Sequence, residues 1–418
     1  MIVKETLDNG LTLITESMPS VRSVAVGVWV KRGSRHEKPE VSGISHFIEH
    51  MVFKGTKTRS AERIASEVDS IGGFMDAFTA KEYASFHLKV LDQHLPLAVE
   101  ILGDIVMNPA FDRAEMVKEK KVIFEEINMV EDTPDDLVME LLTEAFWPDH
   151  PLGRPILGTK KTVGRFRRED LASYFARVYH PANLVIAAAG HVEHRDVSSL
   201  VGRHFARLRP SPARGNGRAP SAVASTVTRS KSELEQVHVC LGVPAPHQGH
   251  PDRYASYVLN TVLGGSMSSR LFQHVREQRG LVYSISSGIA AYSDAGLLSV
   301  YAGTSLDSIP EVIRLTLEEL RRLRGERIPE EELRRAKDHM KGGLVLSLEG
   351  SVARMSHVAR QEIHFGRQHP IEEILEGIEN VTAEDVQALA ARMFDGRVAA
   401  SVLGNLRGWR PRRRELVV

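Results

Sequence analysis

Two histidines and a glutamate stand together in Ser-His-Phe-Ile-Glu-His-Met-Val-Phe at 45–53: His46, Glu49 and His50. On a helix, residues four apart lie nearly one above the other, about 40° apart around the axis. Both imidazoles can therefore reach one metal ion. Glu49 follows His46 by one turn and adjoins His50, so it can stand beside a metal without filling its coordination sphere. That is the position of a general base that takes a proton from a water polarised by the ion. The same residues also describe a surface helix with two histidines flanking a carboxylate. A hydrolytic zinc site uses three protein ligands and a water, so a third ligand has to come from elsewhere in the chain.

The segment 111–132, FDRAEMVKEKKVIFEEINMVED, supplies candidates. Met116, Ile123, Ile127 and Val130 fall on one stripe of a helix, which predicts a buried face. At about 100° per residue, Glu119 and Glu126 fall together along one edge of that stripe. Glu125 points to the opposite, solvent side. Helical spacing makes Glu119 and Glu126 both eligible and does not choose between them.

The elements that must position these residues belong to a soluble, globular chain. It has 418 residues, 42% hydrophobic and 26% charged, enough apolar side chain to fold and enough length for more than one core. Lys+Arg 54 equals Asp+Glu 54, so net charge gives no reason to expect nucleic acid or an anionic membrane as partner. The single cysteine, Cys240, excludes intramolecular disulfides and cysteine-rich zinc sites. It sits in an apolar run and reads as core. Histidine and carboxylate remain as metal ligands. No apolar run approaches the ~18 residues of a membrane span. The N-terminus reads as two short strands around Asp8-Asn9-Gly10, not as a signal or transit peptide. A cytoplasmic location is the expectation. His87, His94, His180, His339, His357 and His364 lack a second ligand at metal spacing and read as surface or capping residues. The basic run Arg407 to Arg414 reads as a short solvated tail.

Segment 207–232 is rich in Pro, Gly, Ser, Ala and Arg and reads as a linker between halves of similar size. Each half opens with a strand pattern, at 23–33 and 235–244. A helical stretch follows, at 42–54 and 251–264. Two further strand-like runs come next, at 74–91 and 282–303. Helices then follow at 92–107, 112–131 and 135–146, and at 307–324, 329–349 and 351–365. The halves end near strands at 183–192 and 397–406. Clustered strands and clustered helices, without strict βαβ alternation, predict an α+β fold. Two tandem homologous domains are expected, each a mostly antiparallel sheet with helices on one face. The division reads 1–210, a linker 211–232, and 233–418.

In these residues the chain resembles the pitrilysin/insulinase-type metallopeptidases, the inverted zincins. It is most similar to the short-subunit branch that includes mitochondrial processing peptidase and its bacterial relatives. The resemblance rests on HFIEH followed by a glutamate about 75 residues on, and runs over nearly the whole chain. It includes GGFMDAFTAKEY (72–83), EKKVIFEE (119–126), HPLGRPILGT (150–159), YHPANLVIAAAG (179–190) and SSRLFQHVREQRGLVYSI (268–285). The resemblance implies one zinc per chain, held by His46, His50 and Glu126, with Glu119 orienting a ligand. It implies Glu49 as the base of a zinc endopeptidase that cleaves peptides or extended segments, with a processing peptidase among the roles it suggests.

The resemblance also implies that Arg276 and Tyr283 donate hydrogen bonds to the substrate carbonyl and the developing oxyanion. It makes the strand carrying Asp76, Ala77 and Phe78 an edge on which substrate adds as a further strand. Here the chain departs from the family: Asp76 stands where Asn is common, and an ionised carboxylate cannot donate. The second half reads as a repeat without the metal site. Alignment of 251–264 on the motif helix places Tyr257, Asn260 and Thr261 at His46, Glu49 and His50, and Gly343 falls opposite Glu126. Long members of the family join four such domains, so a two-domain chain implies a homodimer, or a heterodimer with a related subunit. Arg276 and Tyr283 of one subunit would then face His46 and His50 of the other. The rival reading is a non-catalytic structural or binding subunit of a larger complex.

Overall fold

The strand-like runs become strands. In chain order they are β1 (Ile2–Thr6), β2 (Thr12–Ser17), β3 (Ser23–Val30), β4 (Phe74–Thr79), β5 (Ala84–Leu91), β6 (Leu184–Gly190), β7 (Thr226–Ser230), β8 (Val237–Pro244), β9 (Val282–Ala291), β10 (Gly296–Thr304) and β11 (Ala399–Gly404). The structure is a computed structural model that describes residues 1–209 and 217–418. The first sheet has the order β1-β2-β6-β3-β5-β4 and the second β7-β11-β8-β10-β9. Read from β2 and from β7, the two orders are the same. The direction of pairing repeats too: β2 runs parallel to β6, β7 runs parallel to β11, and every other pair is antiparallel. The α+β class and the internal repeat are both present in this topology.

Most helices of each unit pack on one face of its sheet. In the first, Val24, Val26 and Val28 meet Phe47, Ile101, Ile105 and Phe205. In the second, Val239, Leu241 and Val243 share a core with Val258, Leu259, Leu317 and Leu389. The expected one-sided packing is incomplete, because one further helix covers the opposite face of each sheet. Met355, Val358 and Ala359 of the helix Ser351–Phe365 close on Ile14, Ala25, Trp29, Ala187 and Ala189. Leu137, Val138, Leu142 and Phe146 of the helix Pro134–Phe146 close on Cys240, Leu297, Ala399 and Leu403. The reason is visible in β6, Leu-Val-Ile-Ala-Ala-Ala-Gly, which is buried at every position. A strand apolar on both sides needs cover on both.

These two helices come from the opposite halves of the chain, so the compact units are not the contiguous domains expected. One unit comprises Met1–Asn128, Arg154–Gly217 and Leu346–Gln368; the other comprises Met129–Gly153, Arg218–Val345 and His369–Val418. The division 1–210 and 233–418 thus misassigns two helical segments. Part of the expected linker, 211–216, lies outside the described residues. The rest is not all linker, since β7 forms within it and pairs with β11. Its β-branched Thr-Val-Thr was masked by the Gly, Pro and Ser around it.

The basic run is solvated, as expected, but it is not a free tail. Arg407 and Gly408 take φ of 47° and 84° and reverse the chain. Leu416 is then buried, and its carbonyl accepts from the Val398 amide at 3.1 Å. Cys240 is core, as expected. His87 and His180 are buried rather than superficial. Among the described residues, no helix is long and apolar enough to cross a membrane.

Met355 carries the second face of the first sheet; its side chain is fully buried. Met355→Ala should cost about 2–5 kcal/mol of stability, read as a lower urea midpoint for the first unit. A loss under about 0.5 kcal/mol would mean that the helix Ser351–Phe365 does not hold this face.

Candidate metal centre

The motif helix spans Ile44–Val52. Ile44, Phe47, Ile48 and Met51 are all buried in the core of the first unit, which fixes the rotation of the helix and leaves His46, Glu49 and His50 on another side. Its start is held by a buried acid. Glu37 accepts the amide of Gly43 at 2.7 Å and that of Ser45 at 2.8 Å, satisfying donors that a helix N-terminus leaves open. Burial pushes the Glu37 carboxyl up to about 7, against the pull of these amides and of Arg154. Gly43 has a φ of 94°, and a Cβ there would meet the Leu157 carbonyl oxygen at 2.5 Å. The Ser45 hydroxyl pairs with Tyr174 at 2.9 Å.

The third element is the helix Arg113–Asp132. Met116 and Ile123 are buried and Ile127 and Val130 half-buried along the expected stripe, while Glu125 faces solvent. Glu126 arrives between the two imidazoles. Its Oε2 lies 3.6 Å from His46 Nε2, and its Oε1 lies 3.4 Å from His50 Nε2. One ligand atom from each of the three falls within 4.8 Å of the others. Tetrahedral ligands at zinc bond lengths stand about 3.3 Å apart, close to these two distances. Among the described residues, Glu126 Oε2 is buried and has no hydrogen-bond partner. A buried carboxylate oxygen in that state is what a metal ligand leaves among protein atoms. Two imidazole nitrogens and one carboxylate oxygen are also a zinc donor set. The residues fit the ion.

The electrostatics differ between the two rings. Burial, with His50 beside it, holds His46 well below the usual histidine range, so its ring is neutral and able to ligate at pH 7. Burial also lowers His50, but Glu126 and Glu119 more than offset it, and the net direction is up. Glu119 accepts from His50 Nδ1 at 3.0 Å and pairs with Lys54 at 2.8 Å. It therefore turns the other ring nitrogen of His50 toward Glu126. The Thr79 hydroxyl donates to Glu49 Oε2. Burial raises the Glu49 carboxyl, and this hydrogen bond partly opposes it.

Asp76 and Ala77 lie on β4 and line a cleft of about 320 Å³ together with Glu49, His50, Phe53, Lys54 and Met75. The strand is the end of its sheet, paired on one side with β5. Asp76 and Phe78 are exposed. Asp76 Oδ1 accepts the amide of Ala77 at 2.8 Å.

Arg276 and Tyr283 belong to the other unit. Arg276 sits on a single π-turn, Phe272–Glu277, with its guanidinium 4.6 Å over the Phe272 ring. Tyr283 is 77% exposed on β9, the end strand of the second sheet. Tyr257, Asn260 and Thr261 make other bonds: Tyr257 to Gln248, Asn260 to Ser287, and Thr261 to the Tyr257 carbonyl. Among the described residues, the His46–His50–Glu126 set is the single group of this kind.

Sequence reasoning missed Thr79, Lys54 and Glu37. Period-two alternation along β4 places Thr79 on the same face as Ala77. Helical spacing places Lys54 one turn after His50. Glu37 gave no such signal, because it caps the helix from an irregular loop.

Residues 12–160 match the insulinase family, peptidase family M16, and residues 165–340 match the peptidase M16 inactive domain. The chain is 43% identical to an uncharacterized zinc protease of Bacillus subtilis, YmxG, over 96% of this chain and 98% of that one. A solved peptidase M16 inactive domain protein from Pseudomonas fluorescens superposes with a TM-score of 0.91 at 18% identity, covering 98% of this chain and 100% of that one. A chain of complex III from Candida albicans gives 0.87 at 22% identity, with both chains fully covered. These last two likenesses speak for the fold alone. The chain belongs to the insulinase-type peptidase family M16.

Proposed function

We propose that this chain is a zinc endopeptidase acting on peptides or on extended, unfolded segments, as a processing peptidase does. The observation that carries the reading is the convergence of His46, His50 and Glu126 from two helices, with Glu49 beside them but outside the ligand set. A subunit kept only as scaffold would have no use for this set, and the relative from Bacillus subtilis carries the name of a zinc protease.

Zinc held there supplies a Lewis acid for the scissile carbonyl and lowers the pKa of the attacking water. Glu49 accepts the proton of that water and returns it to the leaving amine. Thr79 fixes one Glu49 oxygen and leaves the other to accept. The free side of β4 takes the substrate main chain as an added strand, which selects for extended segments. The exposed Asp76 carboxylate biases that edge toward basic peptides. Arg276 and Tyr283 would donate to the carbonyl oxygen from the second unit of a partner subunit, in a homodimer or in a heterodimer with a related chain. A cytoplasmic site of action fits this reading.

Glu49→Gln should keep near-stoichiometric zinc while activity on a quenched peptide falls by a factor of about 100 or more. The amide keeps the shape and cannot take the proton. Glu126→Gln should lower zinc content itself, and Glu125→Gln should change neither quantity. Zinc loss in the Glu49 variant, or equal losses at 125 and 126, would overturn these roles.

Completion of the site in trans has its own test. Co-expression of a Glu49→Gln chain with an Arg276→Ala chain, each with its own tag, produces heterodimers holding one intact and one doubly defective site. About half of randomly paired dimers are mixed, so roughly a quarter of wild-type sites should recover. Purified heterodimers no more active than the parent dimers would put Arg276 in cis or out of the reaction.

A further inference from the structure

The returning C-terminal segment builds a groove that the peptidase reading does not use. It holds about 550 Å³ between the helix Ile309–Gly325 and residues 409–415, all within the second unit. Pro310 and half-buried Trp409 supply its open apolar surface, with Ile313, Leu317 and Pro411 buried beneath them. The rim is cationic: Arg314, Arg321, Arg410, Arg412 and Arg414 face a single carboxylate, Glu415. A chain of zero net charge has concentrated five guanidiniums on one small opening.

Several of these are already engaged. Arg314 pairs with Glu311 and Glu318, Arg321 donates to the Val417 carbonyl at 2.6 Å, and Arg412 stands 3.8 Å from Glu415. Arg410 and Arg414 are exposed and, among the described residues, have no ion-pair partner. The segment that carries them is fixed in place. Val418 donates to Gly396, the Leu416 carbonyl accepts from Val398, and Arg397 bridges to Val417. The groove is therefore held by the fold on both walls.

We propose that this groove docks an acidic peptide segment bearing one bulky apolar side chain. The open apolar surface takes that side chain, with half-buried Trp409 as its flat wall. Arg410 and Arg414 take the flanking carboxylates, for which the planar guanidinium fork is suited. Arginine and tryptophan around a small pocket are the composition of an interface anchor. A bare polyanion track would need the cations without the apolar surface. The site lies on residues outside the metal centre, so its test is independent of the peptidase reading.

The test uses the full chain carrying Glu49→Gln, which removes cleavage, and a fluorescein-labelled Glu-Asp-Glu-Phe-Glu-Asp-Glu peptide followed by anisotropy. Saturable binding that weakens with rising salt is expected. Binding should weaken about tenfold or more in the Arg410→Ala/Arg414→Ala double variant, and by a similar factor when the peptide's Phe is replaced by Ser. Undiminished affinity in the double variant would overturn the proposal. So would indifference to the Phe→Ser change, or displacement by polyphosphate or single-stranded DNA at concentrations equal to those of unlabelled peptide. Both arginines are exposed, so loss of folding does not confound the outcome; thermal melts of the variant should match the parent.

Discussion

Two imidazoles one helical turn apart have a common target only if a carboxylate reaches them from a different helix. Everything near the site serves that meeting. The apolar side of the motif helix sets its rotation against the sheet, and Glu37 holds its first turn by two amides. The buried stripe on the helix Arg113–Asp132 rotates Glu126 inward and Glu125 outward. Glu119, on the same helix one heptad earlier, receives His50 Nδ1 and is itself charge-balanced by Lys54. A carboxylate so buried is stable because it has both a hydrogen-bond donor and a counter-charge.

Much of this was legible because it obeys simple periods. The i, i+4 histidines, the Glu126 edge of an apolar stripe and the period-two strands all translate directly into geometry. The choice of Glu126 over Glu119 was not available from spacing, since the two share a helix edge. It depends on how far along that edge the motif helix crosses, which is a tertiary fact. The misreadings have a common origin as well. β7 and the 407–416 segment are short, surrounded by Gly, Pro or Arg, and are held in place by partners outside themselves, β11 and Val398. Local composition carries no trace of such partners.

The second unit repeats the strand order and pairing of the first while lacking its ligands. Shared topology with different chemistry is expected when a core is set by apolar alternation and a site by a handful of side chains. At the positions aligned with the metal ligands, Tyr257 and Thr261 are tied into local hydrogen bonds. These polar groups are absorbed into the framework, and the π-turn bearing Arg276 is the unit's local departure from regular helix.

The interleaving of the two units bears on how such a chain can be cut, copied or recombined. A gene fragment ending at the composition change near residue 210 would encode every ligand of the metal set but not the helix Ser351–Phe365. Ile14, Ala25, Trp29 and Ala187 would then lie open to water, a flat apolar surface prone to self-association. It would also carry the helix Pro134–Phe146 with no sheet of its own to cover. Proteolysis within 211–216 breaks one peptide bond yet leaves each half wearing a helix that belongs to the other. Inheritance of this architecture is therefore all or nothing: the duplicated halves can diverge in chemistry, but neither can be shed.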